Sequence, residues 1–257
     1  MQQAKQAQFI FTGGLNSLLP LTMRNSPYAC YFNGEQSVKH LIESVGIPHT
    51  EIGKILVNNQ SVNLHYIVQD GDEVAVLPCQ PSRGESPLGM PILPPADARF
   101  DLDNHLGRLA AYLRMLGIDT QYQNHIHDEE LVAHAIENRR IVLTRDRQLL
   151  MRKVVIYGYL VRSKEPKQQI VEVVDRFNLA GQIKPFFRCL RCNGLLQPVP
   201  KNHIVHLLEP LTKKHFEEFS QCLDCLQVYW KGSHYERMLK IISQVLPTSA
   251  SNSLGNG

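Results

Sequence analysis

No stretch of the 257 residues approaches the roughly 18 consecutive apolar residues that a membrane span requires, which excludes a helical membrane protein. The opening MQQAKQAQFIFTGGL lacks the basic, then apolar, then small-residue order of a secretory signal, so the expected location is cytoplasmic. A cytoplasmic chain disfavours disulfides, and its six cysteines must be explained otherwise. Internal repeats are missing too. Low complexity is confined to TSASNSLGNG (248–257), expected to be a disordered tail. What remains, 43% hydrophobic and 20% charged, is an ordinary globular composition long enough for two or three domains.

Charge is unevenly spread. Residues 1–98 carry 5 Lys and Arg against 8 Asp and Glu (−3), whereas residues 99–257 carry 22 against 16 (+6). The basic half suits a polyanion partner, and equally suits a merely solvated basic surface.

Residues 1–80 read as an α+β unit. AQFIFTG (7–13) and YACYFNG (28–34) are strand-like. Val38, Leu41, Ile42 and Val45 follow helical spacing between a Ser37 cap and a Gly46 stop. KILVNNQSV (54–62) is a strand entering an Asn-Asn turn, and GDEVAVLP (71–78) alternates to a proline. Two strands, a helix and two more strands give a β-grasp order. VKHLIESVGIP, ILVNNQSV and VQDGDEVAVLP resemble the ubiquitin-like sulfur carriers. Those carriers end in a free Gly-Gly, absent here, so a carrier role is not expected; a protein partner for this domain is. Six prolines in residues 78–97 predict an extended linker over 81–98.

Beyond the linker, strands and helices alternate. RFDLD (99–103), IDTQYQ (118–123), RIVLT (140–144) and VVIYGYLV (154–161) are strands. Leu106, Leu109, Ala110, Leu113 and Leu116 trace one helix face, Leu131, Val132, Ala135 and Ile136 a second, and Pro166 opens a third helix. Such alternation argues a parallel sheet covered by helices. In open sheets of this kind ligands gather beyond the carboxyl ends of the strands, where Asp103, Asp128 and Asp146 are expected. Three gathered carboxylates require a cation, and an oxygen-only set suits Mg²⁺ or Mn²⁺. Such a site can activate water against a phosphodiester, with Arg145 and Arg147 holding phosphates. Each acid alone also has a bland role, Asp128 as a helix cap and Asp146 as a polar strand end.

FDLDNHLGRLAAYLRMLGIDT followed by DEELVAHAIENRRIVLTRDRQLL resembles the Mut-7 C-terminal RNase family, a branch of the PIN nuclease fold. The resemblance spans roughly residues 99–240. It implies an α/β PIN-like RNase domain (99–182) and metal-dependent endoribonuclease activity on RNA, with Asp103, Asp128 and Asp146 at the acidic positions. A fourth acid, common in that fold, has only Glu129 as a candidate.

FFRCLRCNGLL and FSQCLDCLQVYW supply Cys189, Cys192, Cys222 and Cys225. Two C-x-x-C pairs about thirty residues apart fit a structural four-thiolate zinc site, a ribbon over 183–247. Asn193-Gly194 suits the left-handed turn after the first pair; Leu226-Gln227 fits it less well. Lys231, His234 and Arg237 are candidate RNA contacts, with a helix-entry role equally good for His234, and Tyr229 and Trp230 are candidate base-stacking rings, although aromatics in a small ribbon are more often core. His125 and His127 alternate before Asp128 and are candidates for touching metal or phosphate, although such residues are more often solvated loop histidines. The rival readings are a non-catalytic RNA-binding adaptor and a scaffold recruiting a partner through the β-grasp domain.

Overall fold

The computed structural model describes residues 4–79 and 98–245, so the expected tail, and the expected linker apart from Ala98, lie outside the described residues. Residues 4–79 and 128–160 form one compact unit; residues 98–127 and 161–245 form another. Packing therefore groups the segment around Asp146 with the ubiquitin-like residues rather than with its sequence neighbours.

The N-terminal elements are β1 (Lys5–Phe11), β2 (Tyr28–Phe32), α1 (Val38–Ser44), β3 (Ile52–Val57), β4 (Gln60–Val62) and β5 (Glu73–Pro78). Their sheet runs β2-β1-β5-β3-β4, with β1 and β5 parallel and the remaining pairs antiparallel, a ubiquitin-like arrangement. Period-two alternation sends Ala7, Phe9 and Phe11 inward, where Leu41 and Ile42 of α1 are also buried. Ser37 caps α1 by accepting from the His40 amide at 3.2 Å, and Gly46 ends it at φ 91°. Asn58 and Asn59 both take positive φ, the type I′ requirement for a two-residue hairpin. KILVNNQSV is thus a hairpin, and five strands stand where four were expected.

From residue 98 the elements alternate: β6 (Phe100–Leu102), α2 (Gly107–Met115), β7 (Thr120–Tyr122), α3 (Asp128–Glu137), β8 (Ile141–Thr144), α4 (Arg147–Met151), β9 (Gly158–Leu160) and α5 (Pro166–Arg176). β6 and β7 pair in parallel, as do β8 and β9, giving the parallel α/β class. All four residues of β8 are buried, as the apolar run requires. The strand expected over 154–161 is shorter: a turn closed by Val155 N on Arg152 O takes up its start, and Val154 is exposed.

In the first unit a 3-10 turn, His49–Glu51, joins the ubiquitin-like residues to β9. Buried Glu51 accepts the Leu160 amide at 2.7 Å, and buried His49 spans Val155 O (2.8 Å) and Glu43 Oε1 (2.7 Å). In the second unit Leu109, Ala110 and Leu113 of α2 and Ile170, Val173 and Val174 of α5 are all buried, with Phe177 edge-on to Phe100 at 5.1 Å.

The C-terminal part of that unit contains β10 (Leu196–Val199), α6 (Lys201–Ile204), α7 (Pro210–His215), β11 (Phe219–Cys222), β12 (Val228–Trp230) and α8 (Ser233–Val245). The three strands make an antiparallel sheet in the order β10-β11-β12. Ile204, Leu208, Phe219 and Val228 form its small core. α6 and α7 are inserted between β10 and β11, which accounts for the wide separation of the two C-x-x-C pairs.

Candidate functional site

The four cysteines come together. Cys189 Sγ lies 3.6 Å from Cys225 Sγ, Cys192 Sγ 3.4 Å from Cys222 Sγ, and all four sulfurs fall within 4.8 Å of one another. A zinc tetrahedron with bonds of about 2.3 Å has edges near 3.8 Å, so the set fits a metal such as zinc. Each pair is a knuckle with the same hydrogen bonds. Asn193 N donates to Cys189 O as Leu226 N does to Cys222 O; Cys189 N donates to Gly194 O as Cys222 N does to Gln227 O. Asn193 (φ 73°) and Leu226 (φ 58°) occupy the same left-handed position, so the second knuckle adopts the turn with a leucine. A Cβ on Gly194 would collide with Asp224 and Cys222, which makes that glycine a requirement of the facing knuckle.

The surroundings favour thiolate at Cys189 alone. Burial pushes the Cys189 thiol up, but hydrogen bonds from the Tyr229 hydroxyl (3.1 Å) and the backbone outweigh it and bring it to about 7. The same hydroxyl accepts from Leu190 N at 3.1 Å. Tyr229 is thereby committed to the knuckle and is not a base-stacking ring. Burial raises Cys192 to about 12 and raises Cys225, so four thiolates need a cation to coexist.

Arg114, on α2, escapes a reading of the sequence. It is buried, donates from Nε to Thr120 O (2.9 Å), and from Nη1 to Leu190 O (3.1 Å) and Arg191 O (2.9 Å). Burial lowers its pKa while the charges of Cys192 and Cys189 push it back up. It ties the first knuckle to β7 and sets a fixed positive charge beside the thiolates. Asn193 adds a second tie, accepting Thr120 N at 3.0 Å and donating to Asp119 at 2.9 Å.

The acids are divided between the units. In the second, buried Asp103 follows β6 at the cap position of a 3-10 turn, Asn104–Leu106, without a side-chain cap bond. Tyr122, at the end of the paired strand, donates to Asn104 O at 2.9 Å; burial, then the Asp103 charge, raise its pKa. Gly107 of the LGRLA run lies against that phenol, where a Cβ would sit 2.6 Å from the hydroxyl.

In the first unit, Asp128 opens α3 and Asp146 caps α4. Asp146 accepts from Gln148 N at 2.8 Å, its own amide donates to Thr144 Oγ1 at 2.9 Å, and its side chain is exposed. Arg152 forks across Asp128 and Glu129, each at 3.0 Å. That fork is a partner the sequence did not announce. Glu129, the candidate fourth acid, is 77% exposed and shares the arginine rather than a site of its own.

The expected RNA contacts divide as well. Arg145 is exposed, whereas half-buried Arg147 reaches Gly46 O at 3.4 Å. Lys231 pairs with Glu218 at 2.9 Å, and His234 and Arg237 are exposed on α8. His125 and His127 are exposed ahead of α3, as loop histidines are.

Residues 98–242 match the family model described as Mut7-C RNAse domain, and residues 4–83 match Mut7-C ubiquitin. No curated protein and no solved structure matches the chain. Among the described residues no helix is long and apolar enough to cross a membrane.

Proposed function

This chain belongs to the Mut7-C RNase family, and on that premise we propose that it is a metal-dependent endoribonuclease whose acids are Asp103, Asp128 and Asp146. The observation that carries the reading is positional. Within the matched segment Asp103 follows parallel strand β6 and Asp146 follows parallel strand β8, the ends at which α/β folds bind their ligands. Carboxylate oxygens are the donor type that Mg²⁺ and Mn²⁺ select, and such a cation supplies an activated water and charge neutralisation at phosphorus. The chain's own residues do the positioning. α4 fixes the Asp146 carboxylate through the Gln148 amide, Arg152 holds Asp128 and Glu129 to one guanidinium, and exposed Arg145 offers its charge to a phosphate. The four cysteines hold zinc as a structural element.

A specific observation favours the adaptor as second reading. Asp128 and Asp146 each already have a structural use, an ion pair and a helix cap, and need no metal to explain them. The deciding experiment is cleavage of labelled RNA by zinc-loaded protein with Mg²⁺ or Mn²⁺, for wild type and Asp103→Asn, Asp128→Asn and Asp146→Asn. Metal-dependent cleavage lost in all three supports the enzyme. RNA binding with no cleavage supports the adaptor, and neither leaves the β-grasp scaffold.

A further inference from the structure

We propose that a groove on the ribbon, between β10–β12 and α8, seats the unpaired bases of single-stranded RNA. This deepens the RNA-directed reading above and rests on it. The groove encloses about 770 Å³, a volume in the range of ligand pockets, and its lining includes Phe186, Trp230 and Tyr235.

The rings are arranged as a platform rather than a closed core. Phe186 and Tyr235 lie 4.5 Å apart with planes 32° from each other, which fixes one wall. Trp230 stands 6.3 Å from Phe216, and its indole edge lies over Gly232, where a Cβ would come within 3.0 Å. Even so supported, Trp230 stays 40% exposed. A large aromatic ring held in place yet left open to solvent is the element that stacks on a base irrespective of sequence.

Charge points to the same occupant. The groove's own lining is charge-balanced, Arg188 and Lys231 against Glu217 and Glu218, with the acids paired to Lys201 (2.6 Å) and Lys231 (2.9 Å). The positive excess lies at its edge, where exposed Lys184, Arg191 and Arg237 are chain neighbours of the lining residues Pro185, Leu190 and Met238. Residues 183–247 carry nine Lys and Arg against five Asp and Glu, a +4 segment in a chain whose total is +3. A groove with aromatic walls and a basic edge is the combination that tracks single strands. A proline-rich peptide, the other ligand of aromatic grooves, gains nothing from that positive excess.

Trp230 is the chain's single tryptophan, so its fluorescence reports this groove alone. The test titrates full-length, zinc-loaded protein, without added Mg²⁺ or Mn²⁺, with a short mixed-sequence single-stranded RNA. The controls are an abasic ribose-phosphate strand of equal length, an RNA duplex and a proline-rich peptide. The single strand is expected to quench Trp230 strongly and the abasic strand, duplex and peptide little. Trp230→Ala and Tyr235→Ala are expected to weaken single-strand affinity, read for all variants by fluorescence anisotropy of a dye-labelled strand, by roughly 5- to 150-fold, the cost of one lost stack, with zinc content unchanged and Trp230→Phe retaining most of it. Quenching by the peptide or the abasic strand in place of RNA overturns the proposal, as does wild-type affinity in a zinc-loaded Trp230→Ala protein. Quenching without cleavage under any metal leaves the groove standing and removes the nuclease; cleavage without quenching does the reverse.

Discussion

Asp146 offers a separation of structural from catalytic roles at a single position. Its side chain caps α4 through the Gln148 amide at 2.8 Å. Asparagine caps as well as aspartate, so Asp146→Asn keeps that bond and removes only the charge; alanine removes both, at about 1 kcal/mol. In a body of this size that cost lowers the melting temperature by roughly 2–4 °C. The expected pattern is therefore two-way. Asp146→Asn melts with wild type but loses metal-dependent cleavage by roughly 100-fold or more, the scale on which one transition-state-stabilising group acts. Asp146→Ala loses cleavage to the same degree and stability besides. Thermal melts and initial rates with Mn²⁺, on the same preparations, measure both. If Asp146→Asn cleaves as wild type while Asp146→Ala merely melts earlier, the carboxylate is a cap and the catalytic assignment is wrong.

Other perturbations have equally definite outcomes. Elemental analysis of protein never exposed to chelator should find about one zinc per chain, and Cys222→Ser should lose it and loosen the ribbon while the β-grasp residues stay folded. Arg114→Leu strands three carbonyls, at Thr120, Leu190 and Arg191, and should cost about 2–4 kcal/mol and accelerate zinc loss to a competing chelator. Arg114→Lys should rescue only part, because an ammonium cannot reproduce the guanidinium fork. Glu51→Ala leaves the Leu160 amide without its 2.7 Å partner; amide exchange should rise at β9 before it rises at β1. Arg145→Ala should weaken RNA binding uniformly across sequences and lower the salt slope by about one, leaving the melt unchanged.

What could be read in the sequence was local. Ser37 and Gly46 bounded α1, Pro166 opened α5, and the C-x-x-C spacing pointed to the four cysteines that come together, since each is a property of a few adjacent residues. What escaped was set by distant partners. Arg114 sits in a helical run where an arginine ordinarily reads as a solvated face, and the carbonyls of Thr120, Leu190 and Arg191 together explain its burial. His49 and Glu51 look like loop polar residues until Val155 and Leu160 arrive more than a hundred positions later. α4 is five residues long, too short for any periodicity, and its only sequence sign was the aspartate before it. Leu226 gave a misleading signal, because the knuckle's own hydrogen bonds hold a left-handed residue that propensity alone assigns to glycine.

The most direct test of the central claim is a time course of internal cleavage of a labelled RNA by wild-type protein with its zinc in place, as Mn²⁺ is titrated in. The account predicts no products without added divalent metal and internal fragments that accumulate with Mn²⁺. It also predicts that Asp103→Asn, Asp128→Asn and Asp146→Asn each abolish those fragments with no further loss on combination, as residues acting as one unit do. RNA that is bound yet stays intact at every metal concentration contradicts it.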